Sequence, residues 1–425
     1  MNLNDNIRRI FVSDKHKSGE KNTVCVLPWL HLNITPGGKV LQCCMTSDCS
    51  AFAGDLKKQS LEEVWNSKFM RTLRRQMLAG VAPETCSNCF ANELASGNSN
   101  RLAQNGFYKD KLAEIPSITN KDGSVDNIEL RHWDFRFSNF CNYKCRTCGP
   151  DASTSWIPDA KKLGWITDET GEKPRKIESI DQDPNVVFLK KYIDKVQQIN
   201  FAGGEPLLMD EHWQIMDMLD ECKRYDVIVS YTSNLSILKY RNKNALDYWT
   251  KWGRNIILMP SIDEIGERAE LIRSGTDWNN VETNLKTIIN SGVYIKPNIT
   301  ISAMNVFRIP EILNFLLEAG IIRQEDGYKN FEINMVTAPE RFHISILPDT
   351  FRKNIRIRLE EYINDFEKKY HASIKDHFSY LFWHLEKPRN KVLCAEFIEF
   401  TKNLDLIRGE DTFKTIPELS CILDS

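Results

Sequence analysis

The 425-residue chain lacks any apolar stretch long enough to span a bilayer. Its opening segment, MNLNDNIRRIFVSDKHKSGEKN, lacks the apolar core of a secretory leader and reads as a loose tail over 1–22. No membrane association is expected, and the cytoplasm is the expected compartment. An excess of one charge is missing too. At a formal net charge of −2, nothing draws the whole surface to nucleic acid or anionic lipid. The local basic run Arg71 to Arg75 reads as a solvated helix face. No internal repeat or low-complexity run is present. With 41% hydrophobic and 27% charged residues, the composition is that of a globular protein with ample material for a core.

What the chain does have is cysteine, twelve in all. In a reducing compartment, clustered cysteines point to metal or catalysis rather than to a disulfide framework. Nine fall between Cys25 and Cys148. Cys222, on a helical segment, and Cys394 read as buried small residues. Cys421 has no reading.

A cysteine-rich unit covers about 23–112. Within it SLEEVWNSKFMRTLRRQMLAG predicts one helix, with Ser60 and Glu63 as a capping box. Leu61, Trp65, Phe69, Leu73 and Met77 recur on one face, and Gly80 marks the stop. The polar stretch Glu114–Asp126 reads as a linker. From there to about 345 the pattern alternates. Apolar runs at Ile128–Phe137, Val196–Ala202, Val227–Thr232, Ile256–Ile262, Val293–Ser302 and Phe331–Thr337 predict strands. Helical patterns such as Asp210–Arg224, Val281–Asn290 and Ile309–Ala319 lie between them. That alternation predicts an α/β fold with a parallel sheet or barrel. Residues 346–425 read as a helical C-terminal extension, including Phe351–Tyr370 and Phe378–Leu385.

Directly after the first of these strands comes NFCNYKCRTCGP, with Cys141, Cys145 and Cys148 spaced C-x3-C-x2-C. Thiolates are the ligands that iron–sulfur clusters take. Three sulfurs on four irons leave one iron free for catalysis. A structural zinc site would want a fourth ligand, and no Cys or His follows at short range. FAGGEPLL closes the second strand. Gly203 and Gly204 permit a close backbone approach, and Glu205 offers an anionic acceptor for an ammonium group. Ser233 and Asn234 end the third strand, Ser261 and Asp263 the fourth. Arg273 follows, with Glu267 or Glu270 as its alternative surface partners. Asn298 and Ser302 lie on the fifth. All of these fall at predicted C-terminal strand ends, where an α/β barrel carries its site.

The three-cysteine loop with the GGE segment resembles the radical S-adenosylmethionine (SAM) superfamily. The resemblance implies a partial (β/α)6 TIM-like barrel over 113–345. It also implies a 4Fe–4S cluster on Cys141, Cys145 and Cys148, with SAM on its open iron. Reductive cleavage of SAM then gives a 5′-deoxyadenosyl radical that takes hydrogen from a substrate. By the same resemblance Gly203, Gly204, Glu205, Ser233, Asn234, Ser261, Asp263 and Arg273 bind SAM, with Asn298 and Ser302 as further ribose contacts. Thr147 departs from the aromatic residue common before the third cysteine.

Upstream, Pro36-Gly37-Gly38 predicts a hairpin that brings Cys25 to Cys43. Cys86 and Cys89 form a C-x2-C pair. Two remote pairs meeting on one metal is a strong pattern, open to zinc as well as to iron–sulfur. The unit resembles the SPASM or twitch auxiliary-cluster domains, down to the Gly38-x4-Cys43 spacing. It stands before the core, where such domains usually follow it. The resemblance implies a second auxiliary 4Fe–4S cluster on Cys25, Cys43, Cys86 and Cys89, with Cys44 and Cys49 as alternatives to Cys43. It also implies a peptide or protein substrate and a reductant such as flavodoxin or ferredoxin. A small metabolite or nucleotide substrate is the second reading. A non-catalytic electron carrier or zinc-stabilised scaffold is the third.

Overall fold

The computed structural model describes residues 22–46, 48, 50–166 and 189–423. The chain forms two compact units. One holds Met1–Ser138, Arg175–Gly203 and Met209–Ser230; the other holds Asn139–Pro174, Gly204–Leu208 and Tyr231–Ser425. Among the described residues no helix is long and apolar enough to cross a membrane.

The first unit is built on strands. β1 (His31–Ile34) turns back into β2 (Lys39–Leu41), antiparallel, with Asn33 opposite Leu41. Gly38 closes the turn. Its N–H donates to the Thr35 carbonyl at 2.9 Å, and its φ of +85° suits a residue without Cβ. This is the predicted hairpin. β3 (Gly54–Asp55) pairs with β2. On its other edge β1 lies parallel to β4 (His132–Phe135), and β4 parallel to β5 (Gln198–Phe201). β6 (Ile228–Ser233) begins beside β5, the Ile228 N–H donating to the Gln197 carbonyl at 3.0 Å.

The single long helix of the sequence reading is two helices, Leu61–Trp65 and Lys68–Leu78. The capping box on Ser60 and Glu63 forms as predicted. The break falls at Asn66-Ser67. Ser67 caps the second helix through the Met70 N–H, while the Asn66 side chain pairs with both backbone groups of Val125 at 3.0 Å. The break resets the helical phase, so Met70 is buried and Phe69 only half-buried. Nor is the basic run wholly solvated. Arg74 is fully buried between the Trp29 and Trp65 rings and donates twice to the Pro28 carbonyl. The expected linker is ordered as well. Helix Lys109–Ile118 runs into it, and Thr119 bridges Val125 across a turn held by Asn66 and Arg74.

The second unit carries the small hairpin β7 (Lys239–Tyr240) and β8 (Lys243–Asn244), then β9 (Ile256–Pro260) parallel to β10 (Tyr294–Ile295). The end of β6 pairs here, Ser261 N–H donating to the Ser233 carbonyl at 2.9 Å. The predicted run Val293–Ser302 is split. Pro297 has no N–H to continue the ladder, so the chain leaves β9 and restarts as β11 (Asn298–Ile301), parallel to β12 (Glu332–Met335). Helices Gly266–Ile272, Trp278–Ile289 and Ile309–Glu318 alternate with these strands. The parallel pairs β4–β5, β9–β10 and β11–β12 each join strands that succeed one another in the alternating region, as an α/β fold with a parallel sheet requires. The extension is helical, as expected, over Asp349–Tyr370, Ser379–Leu385 and Lys391–Arg408.

Candidate active site and auxiliary cysteine site

In the second unit the three-cysteine loop is pinned along its length. Phe140 O accepts from the Glu205 N–H at 2.8 Å, and Cys141 O from the Ser155 hydroxyl at 2.7 Å. Cys145 O accepts from the Trp156 indole at 2.7 Å. The N–H groups of Lys144 and Arg146 donate to the carbonyls of Ser274 and Ile272, both at 2.8 Å. Gly275 is required by this fit: at φ +103°, a Cβ there would stand 3.0 Å from the Asn142 carbonyl.

Three N–H donors face the sulfurs. Tyr143 N–H reaches Cys141 Sγ at 3.4 Å, the Asn234 amide reaches it at 3.8 Å, and Arg273 Nη1 reaches Cys145 Sγ at 3.8 Å. A hydrogen bond from the Cys148 thiol, with the Arg273 charge behind it, brings Cys145 down to about 7. Giving that bond, and burial, push Cys148 well up; burial pushes Cys141 up to about 12. The Arg273 charge thus favours thiolates at Cys145 and Cys148, the form in which cysteine binds a metal.

Glu205 is buried and accepts from Ser233 Oγ at 2.8 Å, Asn234 N–H at 2.7 Å and Leu207 N–H at 3.2 Å. Burial nonetheless pushes its carboxyl up to about 7. Gly203 and Gly204 both take positive φ, and a Cβ on Gly203 would stand 2.8 Å from the Arg136 stem. Arg273 pairs with neither Glu267 nor Glu270. Its Nε donates to Asp263 at 2.7 Å, an ion pair that sequence distance does not disclose. Asp263 also accepts from the Thr300 N–H at 2.9 Å. Ser261 bridges to Asn298 through the backbone, and Asn298 Oδ1 accepts from Asn334. The Ser302 hydroxyl is engaged in a local turn, accepting from Met304 N–H at 3.1 Å. A residue the sequence reading missed is Glu264, a second buried acid beside Asp263, pushed up to about 7 by burial.

In the first unit, Cys25, Cys43 and Cys89 are buried and Cys86 half-buried. Burial raises all four thiols, Cys86 to about 11. They also feel one another: Cys25 the charges of Cys89 and Cys86, Cys43 those of Cys44, Cys25 and Cys89. The hairpin and the C-x2-C pair are thereby brought together. Arg101, unremarked in the sequence, lies beside Cys25, Cys86 and Cys89, which its charge favours as thiolates. Its own place is fixed by Glu93 at 2.6 Å and by the Asn22 and Val24 carbonyls at 2.9 Å. Cys44 acts on Cys43 as well and feels the charge of Cys89. It is exposed as a residue, yet protein around its sulfur and the adjoining Asp134 carboxylate raise its thiol. Cys49 lies outside the described residues. Among the described residues no three Cys, His, Asp or Glu side chains converge on a point that would enclose a single metal ion. A cubane keeps the sulfurs that hold it apart, and buried neighbouring thiols with N–H donors fit that group. Cys394 is buried as expected, whereas Cys222 is exposed, because it caps the C-terminus of helix Asp210–Glu221 rather than facing its core.

Comparison with known proteins places the two cysteine groups in two different family matches. The family model described as "Iron-sulfur cluster-binding domain", SPASM, matches residues 25–90, and the radical SAM superfamily model matches 135–316. Two relatives named GTP 3′,8-cyclase are each 24% identical. The one from Campylobacter curvus matches over 205 residues, 48% of this chain and 54% of its own length. The one from Sulfurimonas denitrificans matches over 184 residues, 43% and 50%. The chain thus spans about half the length of the curated relatives it matches. Among solved structures, Streptococcus suis SuiB bound to S-adenosylmethionine has 16% identity and a TM-score of 0.41, covering 70% of this chain and 63% of that one. Histidine-tagged anSMEcpe with bound AdoMet has 13% identity and a TM-score of 0.37, covering 57% and 60%. Residues 135–316 thus match the radical SAM superfamily, and residues 25–90, ahead of them, match the iron–sulfur cluster-binding SPASM domain.

Proposed function

We propose that the protein is a radical SAM enzyme, with one 4Fe–4S cluster on Cys141, Cys145 and Cys148 and an auxiliary one on Cys25, Cys43, Cys86 and Cys89. The observation that carries this is the three-thiol loop. Its backbone is pinned, its sulfurs receive N–H donors, and it supplies three thiolates to a group that takes four. Held by Cys141, Cys145 and Cys148, such a cluster would supply the electron that reductive cleavage of SAM needs. The chain's own part is positioning. Gly203 and Gly204 let the backbone approach, and Glu205 offers an anion to the amino group of SAM. Ser233 and Asn234 hold that anion in place. Arg273, fixed by Asp263 and 3.8 Å from the Cys145 sulfur, would meet the SAM carboxylate, and Ser261 would add a polar contact.

For the substrate, the resemblance of the cysteine-rich unit to SPASM and twitch domains points to a peptide or protein. The name of the curated relatives favours a nucleotide, so GTP is the first small molecule to test. A low-potential donor such as flavodoxin or ferredoxin would serve as reductant. Anaerobic protein with dithionite and SAM is expected to yield 5′-deoxyadenosine and methionine. Cys145→Ala is expected to abolish that product and Cys86→Ala to spare or weaken it. A colourless protein that binds only zinc would refute the proposal.

A further inference from the structure

We infer that the C-terminal extension, which carries no recognisable motif, is a clamp on the three-cysteine loop. Asp405 and Glu410 set that loop through Arg146 so that it retains its cluster. The inference rests on the proposed role of the loop and deepens it.

Arg146 stands between two of the three cysteines and is wholly buried. Its guanidinium bonds to both Asp405, in the last turn of helix Lys391–Arg408, and Glu410, just past the Gly409 cap. Glu410 also accepts from Ser274 Oγ at 2.6 Å, and the Ser274 carbonyl holds the Lys144 N–H. The same helix supplies Arg408. It donates to Asp159 at 2.8 Å and to Ser274 at 3.1 Å, and it lies 4.6 Å over the Trp156 ring whose indole holds the Cys145 carbonyl. Lys144 reaches Asp159 at 3.1 Å. The residues on both sides of Cys145 are therefore tied to one helix end. Asp405 is itself fixed, accepting from the Thr412 N–H at 2.9 Å and the Thr412 hydroxyl at 2.8 Å.

The arrangement is not what stability alone selects. Buried ion pairs contribute little net stability against apolar replacements. What they do supply is fixed direction, and supports behind a metal's ligands are where such direction matters. Asp405 and Glu410 are positioning residues, since they act on the sulfurs only through Arg146 and the loop backbone.

The test compares the reconstituted full chain with Asp405→Asn/Glu410→Gln. The readout is the SAM-responsive electron paramagnetic resonance signal of the reduced cluster, followed during exposure to an iron chelator. The double variant is expected to lose that signal about tenfold faster than the parent, at the low end of outer-shell effects on metal affinity. The SAM-insensitive auxiliary signal should persist. Where the double variant fails to fold, Arg146→Gln/Asp405→Asn/Glu410→Gln removes both signs together, and the same fast loss is expected of it. Retention of the SAM-responsive signal at the parental rate in a folded variant would overturn the clamp. A parent without any SAM-responsive signal would instead overturn the role of the loop.

Discussion

Ser233, Asn234 and Leu207 direct their donors at the Glu205 carboxylate, but burial outweighs them and lifts the group to about 7 from its ordinary 4.5. The folded chain therefore holds this proton more tightly than the unfolded chain. The stability it contributes is complete below about pH 4.5 and is lost as pH climbs through about 7. In the role proposed for Glu205, an ammonium group arriving from SAM would relieve that cost by meeting the ionised form, so binding would displace the proton below neutrality. Affinity for SAM is expected to rise by up to about tenfold per pH unit below 7 and to level off above it. Glu205→Gln should bind weakly with no such slope. Equilibrium dialysis with labelled SAM across this range checks it; a flat profile in the parent would detach Glu205 from the amino group.

At the scale of elements, the site depends on the turn after helix Gly266–Ile272 lying flat against the cysteine loop. Gly275 makes that possible at φ +103° with the Asn142 carbonyl beside it. Gly275→Ala should cost about 1–3 kcal/mol in urea unfolding through backbone strain. It should also slow cluster assembly, since the displaced backbone includes the Ser274 carbonyl that holds Lys144. Unchanged stability and assembly would show that the turn yields freely. What was legible in the sequence is also clearest at this scale. Strand positions followed from apolar runs, and the hairpin at Gly38 and the capping box at Ser60 followed from local chemistry. The break at Asn66 was hidden, because its cause is a pairing with Val125 fifty-nine positions away. Likewise the capping box and stripe of Leu61–Met77 read as one helix, though the chain needs two. Asp263–Arg273 and Arg146–Asp405 were illegible for the same reason: an ion pair leaves no periodicity.

At the scale of the whole molecule, Cys141, Cys145 and Cys148 lie in one compact unit and Cys25, Cys43, Cys86 and Cys89 in the other. The groups differ in how their sulfurs are prepared. In the three-cysteine loop one thiol is lowered to about 7. In the SPASM portion all four are raised by burial, and the Arg101 charge eases Cys25, Cys86 and Cys89. Ligand exchange with a small molecule needs an incomplete protein set, and a lasting cluster needs a complete one. The proposed ligand sets, three thiols in the loop and four in the SPASM portion, would meet both needs. Anaerobic reconstitution is accordingly expected to give about eight irons per chain, two four-iron clusters. Cys86→Ala/Cys89→Ala should leave about four, with the SAM-responsive signal intact. Iron analysis with electron paramagnetic resonance on parent and variant decides the matter. Loss of all iron from the double variant would mean that the two thiol groups are not independent sites. Retention of all of it would mean that Cys86 and Cys89 hold nothing.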